Sequence, residues 1–420
     1  MAANSSNSSN SSNLSNLLDF DLQQMENFFV ESPENGGLGE KKFRAKQVLQ
    51  WIHQRGESDF SAMSNLAKNL RQILIEKTQI SLPPIIKNHL SDDNSRKFLF
   101  DVGNHNAVES VYIPEKTRGT LCISTQVGCI LDCAFCSTGK QGFHRNLSTA
   151  EIIGQLWQVK KYLQDFQNFH ENSQKIFERK QISNVVLMGM GEPLLNFDAT
   201  ISALNLMLDD NAYGLSRRRV TVSTAGVVPQ IYKLAEQCPV ALAISLHAPS
   251  DDLRNFLVPL NKKYPLKELF AACQYYLQFA PRDFITLEYT LINNINDQEN
   301  HAKELVKLVK KYNIYCKFNL IPFNPFDAVD FQAPTAKNIL KFSQILQDAG
   351  FITTIRKTRG DDILAACGQL AGQVKDKTAR TARLQNNLQN SKNLQNSKNL
   401  QSKKITIFHN KQSHKNKENT

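Results

Sequence analysis

No stretch of this 420-residue chain comes near the roughly 20 consecutive apolar residues that a membrane-spanning helix needs. The first twenty residues hold neither Lys nor Arg to form the start of a signal peptide. These absences predict a soluble cytosolic protein with no membrane partner. Apolar residues in general are not scarce: 41% of the chain is hydrophobic and 21% charged, which excludes a wholly disordered chain and suffices for one large domain plus an accessory one. Acidic charge is the scarcer sign, 39 Asp and Glu against 50 Lys and Arg, for a formal +11. From residue 373 onward, however, eleven cations face only Asp376 and Glu418, a local excess of +9. The body is therefore close to neutral, and the overall balance does not by itself establish a nucleic-acid partner.

Both ends are poor in apolar residues. Residues 1–16 are almost entirely Asn and Ser, and within 384–420 the stretch 384–403 repeats Leu-Gln-Asn-Ser-Lys-Asn with a period of six. Neither buries enough surface to offset its ordering entropy, so two disordered tails are expected, the second of them basic. Residues 17–95 show helical spacing, with Phe43, Val48, Leu49, Trp51 and Ile52 followed by Met63, Leu66, Leu70, Ile73 and Leu74, and predict a small helical accessory domain. Its run Lys41, Lys42, Arg44 and Lys46 is either a solvated face or a phosphate contact. Over 96–383 short β-branched runs alternate with helical windows. The predicted strands are 119–125, 184–189, 219–223, 241–246, 284–291, 317–322 and 351–356, with a capping box at Ser148 to Glu151 and a helix end at Gly350. That alternation predicts an α/β fold with a parallel sheet, as a partial or complete βα barrel whose chemistry sits at the C-terminal strand ends. Gly191, Glu192, Ser223, Ser245, His247 and Asn324 fall there.

Eight cysteines in a cytosolic chain should be reduced thiols, so clustering among them suggests metal or redox chemistry. Cys129, Cys133 and Cys136 form C-x3-C-x2-C just after the first predicted barrel strand. Three thiolates on one short loop can hold three irons of a [4Fe–4S] cube and leave the fourth open to a cofactor. Structural zinc is the alternative, but it wants four ligands, and the nearest spare one, His144, lies eight residues beyond Cys136. A second motif, Gly189-Met190-Gly191-Glu192-Pro193, follows the next strand, where glycines expose backbone groups and a carboxylate can accept from an ammonium group.

C-x3-C-x2-C after strand one of a βα domain resembles the radical S-adenosylmethionine superfamily, in which an aromatic residue before the third cysteine, here Phe135, packs by the cofactor adenine. The segments VESVYIPE (108–115), TLCISTQVGCILDCAFCSTGKQGFHRNL (120–147), VVLMGMGEPLLN, VTVSTAG, AISLHAP, NLIPFNP and TRGDDILAACGQLAG (358–372) together resemble the RlmN-type family of dual-specificity ribosomal and transfer RNA adenine-C2 methyltransferases. The likeness runs to about residue 380 and leaves out the two tails. It implies a partial (β/α)6-type radical SAM barrel carrying one [4Fe–4S] cluster on Cys129, Cys133 and Cys136. It further implies S-adenosylmethionine, two per turnover, contacted by Gly191, Glu192, Ser223, Ser245, Leu246, His247 and Asn324.

The same resemblance implies the chemistry. Adenine C2 lies between two ring nitrogens and is electron-poor, so it cannot attack a sulfonium methyl, and a radical route is required. Cys367 would carry the methyl group, Glu109 would act as general base at C2, and Cys122 would resolve the protein–RNA link through a transient disulfide with Cys367. Without the family, Cys122 reads as a core cysteine and Glu109 as a surface charge; Cys238, Cys273 and Cys316 stay core residues. The implied partners are 23S rRNA and tRNA, methylated at the adenosine next to the anticodon, together with an electron donor, for a monomeric cytoplasmic enzyme. The clusters Arg217, Arg218, Arg219 and Arg356, Lys357, Arg359 are candidates for RNA phosphates near the barrel mouth. The competing readings are a sister enzyme acting at adenine C8 and a non-catalytic iron–sulfur RNA-binding protein.

Overall fold

The computed structural model describes residues 14–169, 182–365 and 368–383. Most of both predicted tails, and Cys367, lie outside the described residues.

The N-terminal module opens and closes on a two-residue parallel ladder, β1 (Ser15–Asn16) on β2 (Thr78–Gln79). Between them run α1 (Leu22–Val30), α2 (Phe43–Leu49), a π-helical turn over Gln50–Gln54 and α3 (Lys68–Lys77). Helix α1 starts where Asp21 and Gln24 cap each other: the Gln24 amide donates to the Asp21 carboxylate at 2.9 Å and the Asp21 amide donates to the Gln24 side chain at 2.9 Å. Val48, Leu49, Ile52, Met63, Leu66, Leu70 and Leu74 are buried as their spacing predicts, whereas Phe43 is exposed. This core is continuous with that of the catalytic body. The Trp157 indole donates to the Ile52 carbonyl at 2.7 Å, and the Ala150 amide donates to Asp19 at 2.8 Å.

Helix does not fill the whole of 17–95. Residues Ile85–Leu90 form β3, the edge of the main sheet, paired antiparallel with β4 (Arg96–Asp101). Ile86, Lys87 and Asn88 are exposed on that edge, so the strand lacks the apolar alternation by which it would be read. Strand β5 (Ala107–Pro114) pairs antiparallel with β4 and with β6 (Gly119–Cys122). The predicted strand 119–125 stops at Cys122, because the chain then turns into β7 (Gln126–Gly128). After the short helix α4 (Ser137–Lys140), β8 (Phe143–Asn146) returns as the antiparallel partner of β7.

From β6 onward the sheet is parallel. Strands β9 (Ile182–Leu187), β10 (Val220–Thr224), β11 (Ala241–Ser245), β12 (Ile285–Leu291), β13 (Cys316–Pro322) and β14 (Thr353–Ile355) follow in spatial order, giving ten strands from β3 to β14. The crossovers carry α5 (Thr149–Phe169), α6 (Phe197–Leu208), α7 (Val228–Gln237), α8 (Asp251–Leu257), α9 (Leu266–Leu277), α10 (Glu299–Lys311) and α11 (Ala336–Asp348). Helix α5 begins with the expected capping box: the Glu151 amide donates to Ser148 Oγ at 3.2 Å and the Ser148 amide to the Glu151 carboxylate at 2.9 Å. Strands β3 and β14 do not pair, so the barrel is open, a partial βα barrel with an antiparallel extension. Among the described residues no helix is long and apolar enough to cross a membrane.

Candidate active site

The C-terminal ends of the parallel strands surround a cavity that opens to solvent. Cys129, Cys133, Cys136, Gly191, Glu192, Ser223, Ser245, His247 and Asn324 all line it, although the sequence spreads them over nearly 200 positions. Leu246 is fully buried behind the wall, its amide bonded to the Glu288 carbonyl at 3.0 Å. Phe135 lines the cavity too, edge-on to the His247 ring with centroids 4.5 Å apart.

Local structure fixes each group. Gly191 has φ +101°, and a Cβ there would meet the Gln126 side chain; close packing against the β6–β7 link demands glycine here. The buried Glu192 carboxylate accepts from the Ala225 amide at 2.8 Å and the Leu194 amide at 3.1 Å. Burial nevertheless raises it to about 7, so this group gains strongly from a cationic neighbour. His247 sits in the left-handed region at φ +58°, and its Nδ1 accepts from the Thr290 amide at 2.9 Å. Burial first, then Arg254, lowers its pKa to about 3. The ring is neutral, with its proton on Nε2 as a donor.

Burial foremost raises all three clustered thiols. Amide donors act against it: Leu131 on Cys129, and Gly139 and Thr138 on Cys136. Three buried sulfurs that are costly to ionise alone, with donors already aimed at two of them, fit an iron–sulfur cube, whose irons offset that cost. Among the described residues no three His, Cys, Asp or Glu side chains converge at single-ion distance. A cube takes its ligands at separate irons and needs no such point.

Glu109 and Cys122 do not line the cavity; they stand on the adjacent strands β5 and β6. Cys122 pairs with Val111, so Glu109, two residues along β5, stands on the same sheet face as its diagonal neighbour. Both are buried. The Glu109 carboxylate is held by Lys97 Nζ at 3.0 Å and by the Ala371 amide at 2.9 Å. Cys367 lies outside the described residues, but Gly368 and Leu370 line the cavity. Their carbonyls accept from the Ser137 amide at 2.8 Å and the Thr138 hydroxyl at 2.7 Å, immediately after Cys136.

Several residues of the site escaped the sequence reading. Glu288 lines the cavity floor and accepts from Ser223 Oγ at 2.9 Å and from Asn319 at 3.2 Å. Arg254 is fully buried beneath, donating to the carbonyls of Leu246, Ala225 and Ser245 and to Asn261. Burial lowers it to about 10, and its charge favours the Cys133 thiolate. An acid in the apolar strand FITLEYTL was a usable signal for Glu288; a helical arginine such as Arg254 gave none. Arg254→Met removes four hydrogen bonds at the strand ends and is expected to destabilise the fold by about 3 kcal/mol, visible as a lowered melting temperature. An unchanged melting temperature would show that the strand ends hold without it.

The two basic clusters part company. Arg217, Arg218 and Arg219 precede β10 and so stand at the N-terminal strand ends, opposite the cavity, where Arg217 and Arg218 donate to the carbonyls of Pro239 and Pro281. Their expected place near the catalytic mouth is therefore corrected: residues leading into a strand lie at its other end. Arg356, Lys357 and Arg359 follow β14 and share a smaller cavity with Asn324, although together with Arg218 they also line a second, wider cavity.

Residues 15–80 match the ribosomal RNA large subunit methyltransferase N-terminal domain, and residues 123–309 match the radical SAM superfamily. A radical SAM methyltransferase from Sphaerobacter thermophilus is 36% identical over 85% of this chain and 99% of its own, with a TM-score of 0.75. The chain belongs to the RlmN-type family of radical SAM methyltransferases. More distant likenesses include a domain of a pyruvate-formate lyase-activating enzyme from Bacteroides vulgatus, at 20% identity over 42% of this chain and 99% of that one, with a TM-score of 0.34. Streptococcus suis SuiB bound to S-adenosylmethionine matches at 13% identity over 57% of this chain and 51% of that one, with a TM-score of 0.39. As a radical SAM methyltransferase the protein works with a [4Fe–4S] cluster and S-adenosylmethionine.

Proposed function

We propose that this methyltransferase places a methyl group on C2 of adenine in 23S rRNA and in tRNA, at the adenosine next to the anticodon, through an S-methylated Cys367. One observation carries the reading: the buried Glu109 carboxylate accepts from the amide of Ala371, in the strap that follows residue 367, and has the buried Cys122 thiol as its diagonal neighbour across β5 and β6. An enzyme that only cleaved S-adenosylmethionine would need neither. The match of residues 15–80 to a ribosomal RNA methyltransferase domain supports RNA as the substrate class.

In this reading Cys129, Cys133 and Cys136 hold the cluster. Glu192, Gly191, Ser223, Ser245, His247 and Asn324 hold S-adenosylmethionine, with Leu246 behind them. When bound, cluster and cofactor would supply a 5′-deoxyadenosyl radical for hydrogen abstraction from the S-methyl group, and the oxidised cluster would take back the one electron left over once the methylene carbon has joined C2 and the C2 proton has gone. The chain's own residues do the rest. Glu192 meets the cofactor ammonium, a partner that lets the carboxylate ionise in its buried site. His247 presents a donor fixed by Thr290. Glu109, kept close to a cation by Lys97, takes the C2 proton, and Arg356, Lys357 and Arg359 meet RNA phosphates beside Asn324. The adenine must leave its stack to reach a carrier fixed on the protein.

Nucleoside analysis of RNA from cells with and without the gene tests the proposal. Gene-dependent 2-methyladenosine is expected; 8-methyladenosine in its place would overturn it. The cluster assignment has its own check: Cys133→Ala, purified without oxygen, is expected to lose the brown colour and most iron and sulfide. Full retention would remove Cys133 from the ligand set.

A further inference from the structure

Residues 373–383 carry part of the chain's basic excess, yet they are laced to the cysteine loop. Gly142 approaches the Asp376 side chain so closely that a Cβ would collide with it. The Asp376 carboxylate accepts from the Phe143 amide at 3.2 Å, and from both the amides and the hydroxyls of Thr378 and Thr381. Burial alone would raise this carboxyl; the Thr378 and Thr381 bonds outweigh it and hold the group well below the usual carboxylate range. That anchor places Arg380. Its guanidinium donates to the carbonyls of Cys129 at 2.9 Å, Leu131 at 3.0 Å and Gly139 at 3.1 Å, and also to that of Ile130.

In a trans peptide the C=O and N–H point in opposite directions. The unit joining Ile130 to Leu131 has its carbonyl on Arg380, so its amide points away from the guanidinium. Arg380 has five donors in a fixed plane, which suits several carbonyls at once; a lysine ammonium cannot reproduce that fork. A cation fixed beside a cluster stabilises the added electron of the reduced state and so raises the potential.

We infer that Arg380 is a positioning residue for the iron–sulfur centre: by holding four carbonyls of the 129–139 loop it fixes the loop that carries the thiols and, as a cation bound to that loop, raises the centre's reduction potential. This rests on the reading that Cys129, Cys133 and Cys136 hold the cluster.

The test compares the anaerobically reconstituted full-length protein with Arg380→Lys and Arg380→Met. Three quantities are measured: iron and sulfide content, the rate of iron release to a chelator, and the midpoint potential from a redox titration followed by electron paramagnetic resonance. Arg380→Met is expected to release iron at least tenfold faster and to titrate at a more negative potential than the parent. Arg380→Lys, which keeps the charge but loses the fork, should fall between the two and remains measurable if the Met variant takes up no iron. Faster release in both variants at the parental potential would overturn the inference, since loosened packing alone accounts for it, and parental values throughout would overturn it as well. A parent protein that takes up no cluster, by contrast, would defeat the ligand assignment itself, so the two failures are distinguishable.

Discussion

Glu109→Gln is expected to lower 2-methyladenosine formation by two to four orders of magnitude, the range a general base contributes, while methyl transfer to Cys367 and deoxyadenosine release persist. Gln keeps the shape and can still accept from the Ala371 amide at 2.9 Å, so the strap should stay in place. What it loses is the charge that Lys97 faces at 3.0 Å and the lone pair that takes the C2 proton. Lys97→Met makes the complementary test. It removes the ammonium that holds the carboxylate at 3.0 Å, so 2-methyladenosine formation should fall while deoxyadenosine release persists. Parental turnover in Glu109→Gln would take the proton-transfer role away from this residue. Parental turnover in Lys97→Met would show that the pair does not position the base.

The parts of this site that the sequence discloses are those whose geometry is local. C-x3-C-x2-C needs only a short loop to bring three thiols together, and strands 184–189, 241–246 and 317–322 fall within two residues of β9, β11 and β13 because buried parallel strands are continuous apolar runs. With the strands known, Glu192, Ser223, Ser245 and His247 follow, since a parallel sheet gathers its C-terminal ends. The direction of a strand was equally legible, and it places Arg217 to Arg219 at the wrong end for catalysis. Long-range partners are another matter. Lys97 meets Glu109 only because β4 and β5 are antiparallel neighbours, and β3, at the exposed edge, has too little apolar alternation to announce that extension. Arg380 lies about 250 positions from the carbonyls it holds, in a segment whose composition reads as solvated. Charge counting cannot tell a cation aimed at water from one aimed at a loop.

Cys122→Ala and Cys367→Ala are expected to fail in opposite ways. In the proposed reaction the methylene carbon is joined at once to the Cys367 sulfur and to adenine C2, so enzyme and RNA are one covalent molecule until that thioether breaks. Cys122 is the buried thiol placed for the break, on β6, with Glu109 as diagonal neighbour on the same face. As its sulfur bonds to that of Cys367, the sulfur–carbon bond opens and the carbon takes the electron pair and a proton to become the methyl group. Cys122→Ala therefore still accepts a methyl group and still adds to C2, and it should accumulate a protein–RNA complex that survives denaturation. Cys367→Ala has no sulfur to methylate. It should give neither adduct nor 2-methyladenosine, while slow reductive cleavage of S-adenosylmethionine continues on an intact cluster. A denaturing gel with labelled RNA reads both at once: a retarded band for Cys122→Ala and none for Cys367→Ala. Normal turnover in both variants would return the two residues to the role of core cysteines, and with them would go the covalent route, because a thiol diagonal to Glu109 would then have no reaction to serve.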